Sequence, residues 1–296
     1  MDRIDVILFS IAAAPFGAWF GVTVACGLLA FVAVALGRTH PKDDLQLQAL
    51  GDRRHGLLRC FAWVWIEGFW SCVGFALQGA HLVWPWSVRP PGPVPPGATP
   101  VVLVAGYLEN SGLMWLLGRR LAARGHLVVH VDLPSTLSRI STNSAWLRAR
   151  VDEVLRATGA SRVALVGHSM GGVVSRTLVL DDPAAPVACV VSIASPHRGT
   201  VLGRLGPGGS ARDMSPGSEH CLRIGHARAA HVPVHSIFGL MENIVSPAWS
   251  CVVAGGETTV MDEPCGHVTP LFLRSVEARV HGWLVAATVP AAQAAA

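Results

Sequence analysis

Residues Arg162–Arg176 read RVALVGHSMGGVVSR. Val163 to Val166 is a short apolar run, Gly167-His168-Ser169-Met170-Gly171-Gly172 follows it, and small and β-branched residues come next. This is the pattern G-x-S-x-G in the setting that gives it meaning: strand, abrupt turn, helix. A serine displayed on so sharp a turn needs flanking positions almost free of side chain, because the backbone is strained and neighbouring chain packs tightly against it. Gly167 and Gly171 meet that need. Ser169 Oγ is then expected to project into a cleft as a nucleophile. The amide of Met170, at a helix N-terminus, would point toward developing negative charge. The bland alternative is a strand-to-helix turn whose serine only caps the helix. The clean strand, Gly172 and suitable partners downstream favour the nucleophile.

Composition bounds the rest. The chain has 296 residues, 51% of them hydrophobic and only 14% charged, with a mean hydropathy of +0.44. That predicts membrane segments plus one sizeable domain. The net charge of +4 is mild. No Lys/Arg run is interleaved with aromatics, which argues against a nucleic-acid partner. Seven cysteines show neither CxxC nor zinc spacing, and no metal or cofactor is expected.

Residues 1–88 predict a membrane-anchoring helical hairpin. Val6 to Leu36 contains no charged residue; as one helix it would extend roughly 46 Å, more than the ~30 Å of a bilayer core. Pro15 and Gly17 would kink or shorten it, and Pro15 to Leu36 suffices for a span. A signal peptide cleaved near Ala33-Val34-Ala35 is the rival, but the apolar run is too long and its leading tail too weakly basic. A polar loop then carries Arg38, Lys42, Arg53, Arg54 and Arg59. Cys60 to Trp86 is expected as the second span, with Trp63, Trp65 and Trp70 toward one interface and Trp84 and Trp86 at the other; an interfacial or core helix is the alternative. Its single formal charge, Glu67, is a candidate functional group because a buried carboxylate is costly, but its place near the basic end favours snorkelling or pairing with Arg59. The basic loop would lie in the cytoplasm and both flanks outside, so the remaining domain would be periplasmic or otherwise extracytoplasmic. Residues 89–100, RPPGPVPPGATP, form a stiff linker, and 289–296 a flexible tail.

Residues 101–288 alternate strand-like and helix-like segments. Strands are expected at Val101–Val104, Leu127–Leu133, the Val163 run, Val187–Ala194, Val232–Phe238 and Cys251–Val253. Helices are expected at Leu113–Arg124, Ala145–Ala157, Met170–Leu180 and Leu271–Ala286. This alternation predicts an α/β fold, a mostly parallel sheet with helices on both faces, and the wholly apolar strands agree with burial on both sides.

The domain resembles the α/β-hydrolase superfamily, in its bacterial lipase/esterase-like branch. The resemblance covers most of 100–286 and rests on four stretches. They are Gly167-His168-Ser169-Met170-Gly171-Gly172, Ala105-Gly106-Tyr107, Ser195-Pro196-His197-Arg198-Gly199-Thr200, and Asp213-Met214-Ser215-Pro216-Gly217-Ser218. It implies an oxyanion hole made by the backbone N–H groups of Met170 and Tyr107. The base should be a histidine on the loop before the last helix, and His267 fits. The orienting acid should follow the strand after the cap. There Glu242 stands where the family commonly has Asp, and Asp262 is the fallback. The order Ser169, Glu242, His267 matches the order of such hydrolases. A Ser-His-Glu triad is chemically sound, because the carboxylate only fixes the tautomer and stabilises the imidazolium.

Other groups are less informative. His126 and His130 share a strand face, but a metal site lacks a third ligand. Cys189 falls in a core strand. In an oxidising compartment Cys251 and Cys265 could form a disulfide, with Cys221 as the competing partner. Gly203–Ala230, glycine-rich and weakly periodic, is expected to cap the acyl pocket. The expected activity is hydrolysis of carboxylic esters by a membrane-tethered serine hydrolase acting on a lipid or other hydrophobic ester. An acyltransferase or thioesterase using the same triad is the alternative, and a non-catalytic membrane scaffold is a third. The sequence leaves the oligomeric state open.

Overall fold

Strands with no polar face must be covered on both sides, and the arrangement follows from that. In a computed structural model, residues 57–85, 97–228, 231–263 and 265–288 are described, together with Gly21 and Ala25. Six strands, β1 (Val101–Val104), β2 (Val128–Val131), β3 (Val163–His168), β4 (Val187–Ile193), β5 (Val234–Gly239) and β6 (Glu257–Met261), form one sheet. Their order is β2-β1-β3-β4-β5-β6, and every neighbouring pair is parallel. β3 and β4 are buried at every position, which is why they read as unbroken apolar runs. The order reverses between β1 and β3. In parallel sheets the crevice beyond such a switch point is where ligands bind. The Gly106 loop leaves β1 there, and Ser169 leaves β3.

The helices are α1 (Leu57–Val83), α2 (Trp115–Ala123), α3 (Ile140–Thr158), α4 (Met170–Asp181), α5 (Gly208–Asp213), α6 (Glu219–His226) and α7 (Arg274–Thr288). One face of the sheet is covered by α2 and α7 through Leu117, Leu121, Val276, Val280 and Leu284, with Trp70, Val73 and Leu77 of α1 packed against that layer. The other face is covered by α3 and α4 through Leu147, Val151, Val174 and Leu178. The amphipathic stripe expected along Ala145–Ala157 is the buried face of α3, which ends at Gly159 with a left-handed φ of 69°, as a helix stop of this kind requires.

Three expectations are corrected. Cys251–Val253 is not a strand: Ala248–Cys251 is a 3₁₀ turn and the sixth strand is β6. As an edge strand with exposed or half-buried Glu257, Thr258 and Thr259, β6 lacks the apolar run by which the inner strands announce themselves. Second, the span expected at Cys60–Trp86, described through Pro85, is not seen. Among the described residues no helix is long and apolar enough to cross a membrane, and α1 is docked on the domain. Trp63, Val64 and Glu67 are buried, and Trp70 stacks on Phe272 with ring centroids 4.5 Å apart. Glu67 neither snorkels nor waits for Arg59; it accepts hydrogen bonds from Val268 N at 2.6 Å and Thr269 N at 3.1 Å. Third, Cys251, Cys265 and Cys221 are free thiols. Cys251 packs with Phe238 and Val245, whereas Cys265 packs with Val268 and Leu271, so each sits in a separate apolar cluster. The expected first span, the basic loop through Gly56, residues 89–96 of the linker and the tail lie outside the described residues, save Gly21 and Ala25.

Candidate active site

Ser169 sits between β3 and α4 with φ 51° and ψ −124°, a left-handed conformation that costs a non-glycine residue of order 1–3 kcal/mol and persists only where the surroundings enforce it. They do so here by close packing. A Cβ on Gly171 would lie against the carbonyl oxygen of Val104, and one on Gly167 against the backbone of Gly172. The glycines on either side of the serine are therefore places where α4 meets the backbone of β1 and β3.

Glu242 and His267 meet. His267 Nδ1 lies 2.9 Å from Glu242 Oε1, and both side chains are almost wholly buried. Glu242 Oε1 also accepts from Ile244 N at 2.9 Å and Val245 N at 3.0 Å. A carboxylate can only accept from Nδ1–H, so the neutral imidazole has a bare Nε2, able to take a proton. Burial alone would lower the histidine's pKa. The charge and hydrogen bond of Glu242, with Glu109 and Glu67 beyond, outweigh it and raise the value. Asp262 is exposed just beyond β6, and the carboxylate at Nδ1 is that of Glu242. Ser169 and His267 line the same cavity. Their side chains share no hydrogen bond, a contact often long without a bound ligand.

Of the two expected oxyanion donors, the amide of Met170 opens α4. Tyr107 follows Gly106, and its hydroxyl donates to Pro207 O at 2.7 Å, tying this loop to the region over the cavity. Sequence reasoning did not find Glu109, whose Oε2 accepts from Gly106 N at 2.6 Å and lies 2.9 Å from His168 Nδ1. His168 Nε2 in turn donates to the carbonyl of His267 at 3.0 Å. Glu109, His168 and His267 present ligand-type atoms within 4.8 Å of one another, but Glu109 and His168 form a chain of hydrogen bonds that fastens the loop after β1 to the loop of His267. Asn243 was missed as well; its Oδ1 accepts from His267 N at 2.9 Å. His126 and His130 are not brought together. His126 Nε2 lies 2.9 Å from His281 Nδ1, and His130 is buried beside Gly118, where desolvation lowers its pKa to about 4.

Comparison with known proteins bears on this geometry. Residues 99–211 match the family described as alpha/beta hydrolase fold. The mature lipase BlEst2 of Bacillus licheniformis superposes with a TM-score of 0.54 at 16% identity, over 67% of this chain and 96% of that one. The chain has the α/β-hydrolase fold. Over 54 residues it is also 50% identical to triacylglycerol lipases of Pseudarthrobacter phenanthrenivorans and Burkholderia plantarii, covering 18% of this chain. It spans only 17% and 15% of the length of those two relatives.

Within this fold a cavity of about 530 Å³ opens over Ser169 and His267. Its walls are mainly apolar: Phe75 and Leu82 of α1, Leu108 and Leu113 after β1, Leu202 and Met214 of the cap, and Val245 and Val268. The expected cap is a 3₁₀ turn at Val201–Arg204 followed by α5 and α6. Buried Asp213 anchors it, accepting from Ile140 N at 2.9 Å and Arg139 Nη1 at 2.8 Å. The wall supplied by α1 was not anticipated, because that stretch reads as a membrane span.

Proposed function

We propose that the protein is a serine hydrolase of carboxylic esters with apolar acyl groups. The observation that carries this reading is that a serine on a strained elbow and a buried Glu242–His267 pair open into one apolar cavity. Ser169 Oγ attacks the acyl carbonyl while His267 Nε2 takes its proton, and the Met170 and Tyr107 amides receive the developing oxyanion. Glu242 holds the ring and stabilises the imidazolium. The proton passes from His267 to the leaving alkoxide, and water deprotonated by His267 then releases the acid from the acyl-enzyme. Fluorophosphonate labelling of the full chain beside Ser169→Ala, with p-nitrophenyl esters of graded length, tests this. Labelling and turnover lost together in Ser169→Ala support it; a folded wild type that neither labels nor turns over refutes it and leaves a scaffold on a hydrolase fold.

The uncharged run Val6–Leu36 is proposed as the tether. With α1 docked on the domain, Arg38, Lys42, Arg53, Arg54 and Arg59 fall on the domain's side of such an anchor. The charge bias then places that side in the cytoplasm, the reverse of the orientation expected for a hairpin. Protease digestion of intact spheroplasts, from which a cytoplasmic domain is shielded, decides between the two.

A further inference from the structure

We propose that α1 braces the two catalytic loops against each other and that Glu67 is the positioning residue for His267. This rests on the Ser169–His267–Glu242 reading above.

Glu67, Ser71, Gly74, Gln78 and His81 follow one another at steps of four, three, four and three, so they form one stripe along the helix. That stripe faces the site. At one end, the two oxygens of Glu67 accept from the amides of Val268 and Thr269, the residues immediately after His267. Those amides open the 3₁₀ turn Thr269–Phe272, so Glu67 caps it as an acidic side chain caps a helix. His267 N is held by Asn243 and His267 O by His168. With Glu67, and with Leu271 N donating to the Val268 carbonyl, every backbone polar group from His267 N to Thr269 N has a partner. Gly266 has no room for a side chain: a Cβ there would lie 2.6 Å from Asn243 Oδ1, 2.7 Å from Glu67 Cδ and 2.8 Å from Trp63 Cζ2.

At the other end, roughly 16 Å along the helix, Gln78 holds the oxyanion loop. Its Oε1 accepts from Asn110 N at 3.0 Å, and its carbonyl accepts from Asn110 Nδ2 at 3.2 Å. His81 Nε2 lies 3.5 Å from Asp132, which itself holds Ser111 N at 2.5 Å and Ser111 Oγ at 2.6 Å. One rigid element therefore fastens both the loop that carries the base and the loop that carries an oxyanion donor.

A carboxylate 1% exposed is costly unless hydrogen-bonded, and two amides are what it receives. Burial raises the pKa of Glu67, the two amides work against that rise, and its charge favours the His267 imidazolium after the larger contributions of Glu242 and Glu109. Glu67→Gln separates this role from simple packing, because glutamine fills the space but turns an NH2 toward one of the two amides and carries no charge. In the full chain, kcat for a p-nitrophenyl ester should fall on the order of 10²-fold, the scale of a small misplacement of a catalytic group, with KM within about twofold. The acid limb of kcat/KM should move to lower pH, and hydrogen exchange across 265–273 should quicken. Glu67→Asp, which keeps the charge but shortens the reach, should lower kcat while leaving the acid limb in place, and it serves if the Gln variant fails to fold. Wild-type kcat and exchange in Glu67→Gln would overturn the proposal. So would a loss that raises KM and lowers the melting temperature with the acid limb unmoved. Were the wild type inert to fluorophosphonate, the esterase reading would fall, while exchange at Val268 and Thr269 would still decide whether Glu67 holds the loop.

Discussion

Glu242→Gln offers an unusually clean test of how the acid works. In triads of this kind an amide in place of the carboxylate can turn its NH2 toward the histidine, force the wrong tautomer and cost about 10⁴-fold in kcat. Here the orientation is dictated beforehand. Glu242 Oε1 accepts from Ile244 N, Val245 N and His267 Nδ1, whereas Oε2 is buried without a hydrogen-bond partner. A glutamine that put NH2 at the first position would face two backbone N–H donors, so its oxygen takes that place and still accepts from Nδ1–H. The substitution then removes charge and leaves geometry alone. For unit charges about 4 Å apart at an effective dielectric constant near 20, the attraction is about 4 kcal/mol, which sets an upper bound of roughly 10³-fold at about 1.4 kcal/mol per decade. Glu242→Ala loses orientation as well and should fall further. The assay is kcat/KM on a p-nitrophenyl ester as a function of pH. The acid limb of Glu242→Gln should move to lower pH, because the first charge that raises the His267 pKa has gone. A Gln variant as inactive as the Ala variant, or one whose limb stays in place, would refute the argument from Oε1.

Other outcomes follow from the same structure. On the proposed mechanism His267 must be neutral to take the serine proton, and its pKa is raised, so the acid limb of wild-type kcat/KM should lie above the ordinary histidine value of about 6.5; a limb at or below it counts against this electrostatic environment. Gly171→Ala drives a Cβ into the Val104 carbonyl, a backbone atom that cannot yield, so a loss of about 1–3 kcal/mol should appear as a lower urea midpoint. Phe75 lines the cavity from α1. Phe75→Ala should shift the preferred acyl group toward longer chains, measured on graded p-nitrophenyl esters, and an unchanged profile would place the acyl chain against another wall.

What could be read from the sequence was whatever announces itself locally. β3 and its elbow combine an unbroken apolar strand with glycines at the two positions where packing forbids a side chain. Glu242 and His267 are found by position, one after a strand and the other before the last helix, and they prove to be 2.9 Å apart although 25 residues separate them. Glu109 and His168 gave no such signal. One lies in a loop and the other inside the motif, and their pairing spans 59 residues. β6 was missed because an edge strand has no wholly apolar run, and its place was given to a cysteine-valine stretch that turns instead.

α1 shows why hydropathy misled. A window average adds residues without regard to face, and α1 carries apolar residues on both: Trp63 and Val64 are buried, while Trp65 is 53% and Phe69 58% exposed. The informative pattern was the polar stripe from Glu67 to His81, which runs through an otherwise greasy helix. A helix packing on an ordinary core would turn its apolar side inward. α1 partly does so through Trp63, Trp70 and Leu77, but the surface it meets also includes the loops that carry Asn110 and His267. The amides of Asn110, Val268 and Thr269 belong to no sheet ladder, and buried backbone donors need acceptors. Leucine at position 67 or 78 would satisfy the hydropathy of the stretch and leave those amides orphaned, at about 1–3 kcal/mol each. The polar residues that look misplaced in a membrane span are the ones those loop amides require.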